Sequence, residues 1–307
     1  MSLPRRIFPG IAATVAMLLG VLPNAGCIVT FHRPIRNHAK GHPLQMADKD
    51  ALAARILNLY NSVNSFIATV DMTPSVGSVY KGEITDYKDV RGYILFRKPA
   101  DIRIQADYPV IRTTAFDMVS NGTEFKFYLP AKNRFVVGAN DAPANSPNKL
   151  ENLRPQAFLE SLLIRPIDPA KEQSLLMDDT DEDIAVYILV VFGNDAKGNA
   201  VALRSIWFDR VDLSIIKQQI YAPNSNIINE TRYASWTDYS GVSFPKSLQI
   251  NRPIDGYGVT ISLVDMKMNV PVTDKQFELA QPAGTTLQTI GSPASVPTAA
   301  PNPKTQK

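Results

Sequence analysis

The sequence has few of the residues that many catalytic and metal sites require. It holds one cysteine and three histidines in 307 residues, and His32, His38 and His42 all lie before residue 43. A disulfide within the chain is therefore impossible, and the rest of the chain cannot form a Ser-His-Asp triad. No acidic or sulfur ligand lies close to the histidines, so a solvated linker is favoured over a metal site there.

Other signatures of chemistry are also missing. The chain contains no G-x-S-x-G elbow, no phosphate-binding G-x-x-x-x-G-K-[ST] loop and no H-E-x-x-H motif. Its formal charge is only +3, and Arg5 and Arg6 supply two of these charges within a predicted leader, so nothing favours nucleic-acid binding. A pair of carboxylates acting as acid and base stays open, but no pair is singled out. We expect no enzyme, no cofactor and no metal.

The N-terminus is typical of an exported protein. Arg5 and Arg6 precede an apolar run over residues 7–22, and Ala25-Gly26 lie directly before Cys27. This pattern predicts a signal peptide over residues 1–26, and its end resembles the lipobox of bacterial lipoproteins. That resemblance implies cleavage before Cys27, acylation of Cys27 and a membrane anchor, and Ile28 implies the periplasmic face of the outer membrane. An ordinary secretory leader with a leftover cysteine is the alternative.

Composition divides the remainder into three parts. Residues 27–47 predict a lipidated cysteine followed by a flexible tether, and residues 48–280 predict one folded domain. Residues 281–307 are rich in Pro, Ala and Thr, which predicts a disordered tail. The acidic run over residues 178–183 is interpreted as a solvated turn, because a calcium loop would need spaced ligands and a central glycine.

The folded part combines many strands with two amphipathic helices. Residues 89–138 alternate apolar and polar side chains between turn signals such as Asn121-Gly122, which predicts an antiparallel meander with one dry face. Helices are predicted near residues 48–63 and 150–164, with apolar stripes that include Leu52, Ile56, Leu59, Phe158 and Leu162. The fold class is therefore α+β, mainly antiparallel β, with helices packed on one face of the sheet.

The order of several short motifs resembles the LolA/LolB-like lipoprotein-localisation family of bacterial outer-membrane carriers and receptors. The resemblance spans about residues 48–280. It rests on the following segments: Phe96-Arg97-Lys98-Pro99, Asn121-Gly122-Thr123-Glu124-Phe125, Trp207-Phe208-Asp209, Tyr233, Trp236, Gly241-Val242-Ser243-Phe244-Pro245 and Val272-Thr273-Asp274-Lys275-Gln276-Phe277. It implies a strongly curved, unclosed β-barrel (a half-barrel) capped by two or three helices over an apolar cavity.

On this basis the two helices are expected to form a lid, and the dry strand faces are expected to line the cavity. The candidate lining residues are Ile94, Phe96, Ile102, Ile104, Phe116, Met118, Phe125, Phe127 and Leu129. Plain core packing is an equally simple interpretation of each one. The expected function is binding of a lipid or an acylated lipoprotein by a monomeric envelope protein. The alternative is a structural or sensor lipoprotein whose interior is filled by its own side chains.

Overall fold

The computed structural model describes residues 43–108, 113–140, 142, 152–181 and 183–290. These residues belong to the second of two compact units, Asn37–Lys307. The predicted leader, Cys27 and residues 28–42 of the tether lie outside the described residues, as do residues 291–307. No helix within the described ranges is long and apolar enough to cross a bilayer.

The described residues form one curved, unclosed sheet of fifteen strands with two short helices. The helices are α1 (Lys49–Ser62) and α2 (Pro155–Leu162). The strands are β1 (Ser65–Ser78), β2 (Glu83–Asp86), β3 (Val90–Arg97), β4 (Asp101–Asp107), β5 (Thr114–Ser120), β6 (Glu124–Leu129), β7 (Arg134–Ala139), β8 (Gln173–Thr180), β9 (Ala185–Asn194), β10 (Ala200–Asp209), β11 (Ile215–Tyr221), β12 (Ile227–Tyr239), β13 (Val242–Arg252), β14 (Tyr257–Met268) and β15 (Thr286–Ile290).

Neighbouring strands of the sheet follow the order β15-β7-β6-β5-β4-β3-β1-β14-β13-β12-β11-β10-β9-β8, and β2 pairs with β1. The strand pairs are antiparallel except for β15 with β7, which is parallel. β1 therefore joins the meander β3–β7 to the second half of the sheet. The mainly antiparallel α+β fold predicted from the sequence is confirmed, and so is the unclosed, curved sheet.

The alternation predicted for the meander reproduces the burial of its side chains. On β4, Ile102, Ile104 and Ala106 are fully buried, whereas Arg103 on the opposite face pairs with Asp117 of β5 at 2.6 Å between Nη2 and Oδ2. Successive side chains of a strand point to opposite faces, so one face of this sheet is apolar. Most of the buried apolar side chains of both halves and both helices form one cluster, and Val119, Phe135 and Leu279 form a small second one.

α1 begins where the sequence predicts, whereas α2 is shorter than the predicted range of residues 150–164 and begins at Pro155. The Asp48 carboxylate caps α1 by accepting a hydrogen bond from the Ala51 N–H at 2.7 Å, and Pro155 lies in the first turn of α2, where its missing N–H costs no helical bond. Leu52 and Ile56 of α1 are completely buried, and Phe158 of α2 is 1% exposed. Both helices therefore pack an apolar stripe into the core of the sheet.

Two segments differ from the prediction. The tail predicted to be disordered from residue 281 contains β15, which adds to the edge of the sheet beside β7. This edge supplies backbone partners that composition does not reveal. The acidic run predicted as a turn also begins inside a strand, because Asp178 and Asp179 belong to β8 and Asp178 pairs with Arg210 at 3.1 Å.

Candidate functional site

A small apolar cavity lies beneath the two helices. Its volume is about 30 Å³, and Ile56, Leu59 and Val63 wall it from the α1 side. Leu162 of α2 and Trp236 and Phe244 of the sheet complete much of its lining. A volume of this size holds about one water molecule, so in this conformation the space under the helices is nearly filled by side chains.

A much larger cleft adjoins this cavity. Its volume is about 490 Å³, within the range of small-molecule sites, and it runs between α2, the strands β10 and β11, and the turn between β3 and β4. Leu159, Leu203 and Ile220 supply apolar walls, whereas Arg204 and Gln218 are polar. Such a mixture of apolar surface and a few polar groups suits an amphiphile better than a purely polar ligand.

Tyr60 and Leu163 border both spaces. Tyr60 lies in the last turn of α1, and Leu163 directly follows α2. Lys98 holds this end of α1 in place: its Nζ donates a 2.5 Å hydrogen bond to the Tyr60 carbonyl and lies 3.9 Å from the centroid of the Tyr60 ring. Burial lowers the pKa of Lys98. The boundary between cleft and cavity is thus formed by two side chains at the ends of the helices.

Polar contacts fix α2 against the sheet. The Ser161 hydroxyl lies 2.6 Å from the Thr231 hydroxyl, and the Asn229 side-chain amide donates to Glu160 Oε2 at 3.1 Å. Gln218 of β11 donates to the Glu160 carbonyl at 3.0 Å. Because these groups are buried or nearly so, separating α2 from the sheet would leave several of them without partners. We therefore regard α2 as the fixed wall of the cleft.

A charged cluster closes one end of the cleft. Arg204 of β10 is 5% exposed, and its Nη2 donates to Glu172 Oε2 at 3.0 Å and to the Pro166 carbonyl at 3.0 Å. Arg165 donates to the other oxygen of Glu172. Burial lowers the pKa of Arg204 to about 10, and the nearby positive charge of Arg165 acts in the same direction.

The Glu172 carboxyl has a pKa below its ordinary value. Burial alone would raise this pKa, but the Asp168 N–H and the guanidinium groups of Arg165 and Arg204 together lower it more strongly. Glu172 is therefore a carboxylate near neutral pH, held between two arginines.

Two further cavities lie elsewhere on the domain. One of about 280 Å³ lies beside the β1–β2 hairpin and is bordered by Tyr80 and Tyr257. The other, of about 550 Å³, lies between the outer side of α1 and the segment around Pro166, with Lys49 and Glu172 among its walls. Neither shares a lining residue with the space beneath the helices, so the cleft next to Tyr60 and Leu163 is the better candidate site.

Most of the residues predicted to line a cavity belong to the core. Phe96 borders the cleft, and it alone of the nine borders any of the four cavities described above. Phe116 and Leu129 are partly buried and pack against the core cluster, whereas the others lie inside it: Ile94, Ile102, Ile104, Met118, Phe125 and Phe127. Among the predicted lid residues, Ile56, Leu59 and Leu162 line the small cavity, and Leu52 and Phe158 are core.

The polar residues of the cleft were not among those predicted from the sequence. Arg204 lies two residues before Ile206 and four before Phe208, which are both fully buried. Its position on the dry face of a predicted strand was the available signal, because a charged residue is rarely placed there without a partner or a role. Arg165 and Glu172 come from a segment without periodicity and gave no comparable signal.

Comparison with known proteins concerns the fold alone. No family model matches the chain, and no curated protein matches its sequence. Among similar solved structures is a DUF1329 family protein from Desulfovibrio piger, with 16% identity, a TM-score of 0.50, and coverage of 75% of this chain and 95% of that chain.

Two others each have a TM-score of 0.48. A LolA superfamily protein from Nitrosomonas europaea has 14% identity over 74% of this chain and 97% of its own. A putative outer membrane lipoprotein-sorting protein domain from Vibrio parahaemolyticus has 12% identity over 74% and 94%. These similarities describe the fold, and a LolA superfamily protein is among the similar structures.

Proposed function

We propose that this domain is a non-enzymatic binding module of the bacterial envelope, which takes up the apolar chain of a lipid or of an acylated lipoprotein. The acyl chain of the ligand enters the cleft of about 490 Å³, passes between Tyr60 and Leu163 and extends into the apolar space beneath the helices. The observation that carries the proposal is that these two side chains border both the cleft and the small apolar cavity.

The energies are compatible with such an uptake. Burying one methylene group contributes about 0.8 kcal/mol, so twelve chain carbons contribute roughly 10 kcal/mol before ordering costs. Moving α1 outward would expose Leu52, Ile56 and Leu59, at a cost of about 1.5–3 kcal/mol for each fully exposed side chain. The free energy needed to move α1 partly outward is therefore smaller than the free energy gained by burying the acyl chain of the ligand. The described residues of α1 and α2 share no side-chain hydrogen bond, but the bond from Lys98 to the Tyr60 carbonyl must break or move with this end of α1, at a cost of about 1 kcal/mol.

Native mass spectrometry of the purified chain tests this function. The protein is offered phospholipid, an acylated peptide and the same peptide without its acyl chain. We expect one molecule of phospholipid or acylated peptide to remain bound, and the unacylated peptide to stay free. A protein that remains empty with all three ligands would contradict the proposal.

One observation favours a second candidate function. The cavity beneath the helices holds only about 30 Å³, and most of the predicted lining residues fill the core instead. A domain with such an interior suits a structural or sensor lipoprotein of the envelope. An empty protein in the same experiment, with unchanged stability when lipid is added, would support this second candidate.

Anchoring belongs to the proposal as well. The leader over residues 1–26 and the cysteine at its end support attachment of the protein to the periplasmic face of the outer membrane through acyl chains on Cys27. Growth with an alkyne-bearing palmitate should label the wild type, and Cys27→Ala should abolish the label and move the protein to the soluble fraction. A Cys27→Ala protein that still sediments with membranes would refute this anchor.

A further inference from the structure

The cleft contains an arginine whose hydrogen-bonding capacity is only partly used. Arg204 is almost completely buried, and its Nη2 donates hydrogen bonds to Glu172 and to the Pro166 carbonyl. Its buried Nε has no hydrogen-bond partner among the described residues. A buried guanidinium normally has its donors satisfied, so this side chain lacks an acceptor.

The acceptors near this arginine are already engaged. Glu172 accepts hydrogen bonds from Arg204, from Arg165 and from the Asp168 N–H. Glu160, the carboxylate that lines the cleft, accepts from Gln156 at 3.0 Å and from Asn229 at 3.1 Å. The formal charges of the two arginines and two glutamates balance, so the cleft has a surplus of unused donors rather than a surplus of charge.

Arg165 adds to these donors at the mouth of the cleft. Its side chain is 58% exposed, and within the described part of the chain it is held by its bond to Glu172. Both arginines therefore border the same cleft and are linked through one carboxylate. Guanidinium groups bind phosphate and carboxylate oxygens through paired N–H donors, and such charge-assisted bonds are among the stronger ones in proteins.

The apolar walls begin directly beside the arginines. Leu163 lies two residues before Arg165, and Leu203 immediately precedes Arg204, and all four residues border the cleft. A ligand held by the arginines thus has apolar surface available toward Tyr60 and the cavity beneath the helices. An acidic group directly attached to an apolar chain would satisfy both parts of the cleft.

We propose that the cleft binds an anionic head group, a phosphate or a carboxylate, through Arg204 and Arg165 while the attached apolar chain extends past Leu163. This inference rests on the proposed function for the uptake of the acyl chain. It adds the class of ligand, because anionic single-chain amphiphiles should be preferred to neutral ones. Arg204 supplies buried donors, and Arg165 closes over the head group from the solvent side.

Isothermal titration calorimetry of the purified full chain tests the head-group site with three probes. These are dodecyl phosphate, the neutral amphiphile monolauroylglycerol and inorganic phosphate. The wild type should bind dodecyl phosphate at least about tenfold more tightly than monolauroylglycerol, the effect of one charge-assisted bond. Inorganic phosphate should bind far more weakly than dodecyl phosphate, because it lacks the chain.

Variants assign the preference to the arginines. Arg165→Gln should reduce the ratio between the two affinities to less than about threefold, mainly by weakening the binding of dodecyl phosphate. Lys171→Gln is the matched control, because it removes an equal charge from an 82% exposed side chain that borders none of the four cavities. Arg204→Gln should reduce this ratio further than Arg165→Gln does. Circular dichroism shows whether Arg204→Gln folds, and the result for Arg165→Gln decides the test if Arg204→Gln does not fold.

The outcomes separate this inference from the function on which it rests. Equal affinities of the wild type for the two amphiphiles would overturn the head-group site and leave chain binding intact. Inorganic phosphate binding as tightly as dodecyl phosphate would retain an anion site and overturn chain binding. An unchanged preference in Arg165→Gln and in a folded Arg204→Gln would also overturn the assignment.

Discussion

Replacing Leu163 with alanine should strengthen the binding of an apolar chain and weaken the fold. Leu163 is half-buried and borders both the cleft and the cavity beneath the helices. Truncation of a fully buried leucine costs about 2–5 kcal/mol, so a half-buried one should cost about 1–2 kcal/mol of the free energy of unfolding. The same truncation joins the two spaces, because alanine lacks the carbons that separate them.

The gain in affinity follows from the vacated volume. If two methylene groups of the ligand occupy the space that the leucine leaves, they contribute about 1.5 kcal/mol, or roughly tenfold tighter binding. Leu163→Trp should have the opposite effect, since the larger ring fills the passage. We expect it to bind at least about tenfold more weakly, with little loss of stability because the position is partly open to solvent.

Titration calorimetry with monolauroylglycerol measures the chain alone, without a charged head group, and urea unfolding gives the stability of each variant. Leu175→Ala serves as the control, because Leu175 on β8 is 55% exposed and lines none of the four cavities. A Leu163→Ala protein that loses stability without binding more tightly would refute the passage. So would a Leu163→Trp protein that binds as the wild type does.

Three further predictions concern the fold and its dependence on pH. Gly122 has φ +90°, and an added Cβ there would lie 2.5 Å from the Cβ of Ala100, whereas Gly198 has φ +83° and open space around an added Cβ. Gly122→Ala should therefore reduce the free energy of unfolding by more than the roughly 1 kcal/mol expected for Gly198→Ala, as measured by urea unfolding. Because the pKa of the Glu172 carboxyl is lower in the folded than in the unfolded state, where it is near 4.5, its ionisation stabilises the fold above that pH, and this stabilisation is lost as the pH falls through the folded pKa. Below about pH 4.5 the free energy of unfolding should therefore decrease more for the wild type than for Glu172→Gln. An equal decrease in both proteins would contradict this. Ending the chain at Thr285 removes β15 and exposes the edge of β7. This truncation should lower the melting temperature and promote aggregation at high protein concentration, which light scattering detects. An unchanged melting temperature without aggregation would mean that β15 does not stabilise the sheet.

Local periodicity was sufficient to predict much of the sheet. The alternation over Ile102, Ile104 and Ala106 identified the dry face of β4, and the capping residue Asp48 located the start of α1. These features depend on neighbours within a few residues, so the sequence reveals them directly. β15 differs, because it pairs with a strand about 150 residues earlier in the chain and has a mostly polar sequence of its own.

The candidate site depends on information that alternation does not contain. A period of two residues shows which face of a strand is dry, but not whether that face meets an open space or another side chain. Ile104 and Phe127 were therefore predicted as lining residues and lie in the core, whereas Leu163 and Tyr60 border the cavities from the ends of helices. The arginines of the cleft come together from β10 and from the segment after α2, a contact that depends on the tertiary fold.

Photolabelling tests most directly whether an apolar chain occupies the space beneath the helices. The purified protein is mixed with a dodecanoic acid that carries a diazirine at its terminal carbon, and the complex is irradiated. Peptide mass spectrometry then identifies the labelled residues. Our account predicts labels on the residues that line the passage and the small cavity, such as Tyr60, Leu163 and Trp236, and their loss when excess unlabelled dodecyl phosphate is added. Labels confined to exposed residues such as Leu175, or no label that the competitor removes, would contradict it.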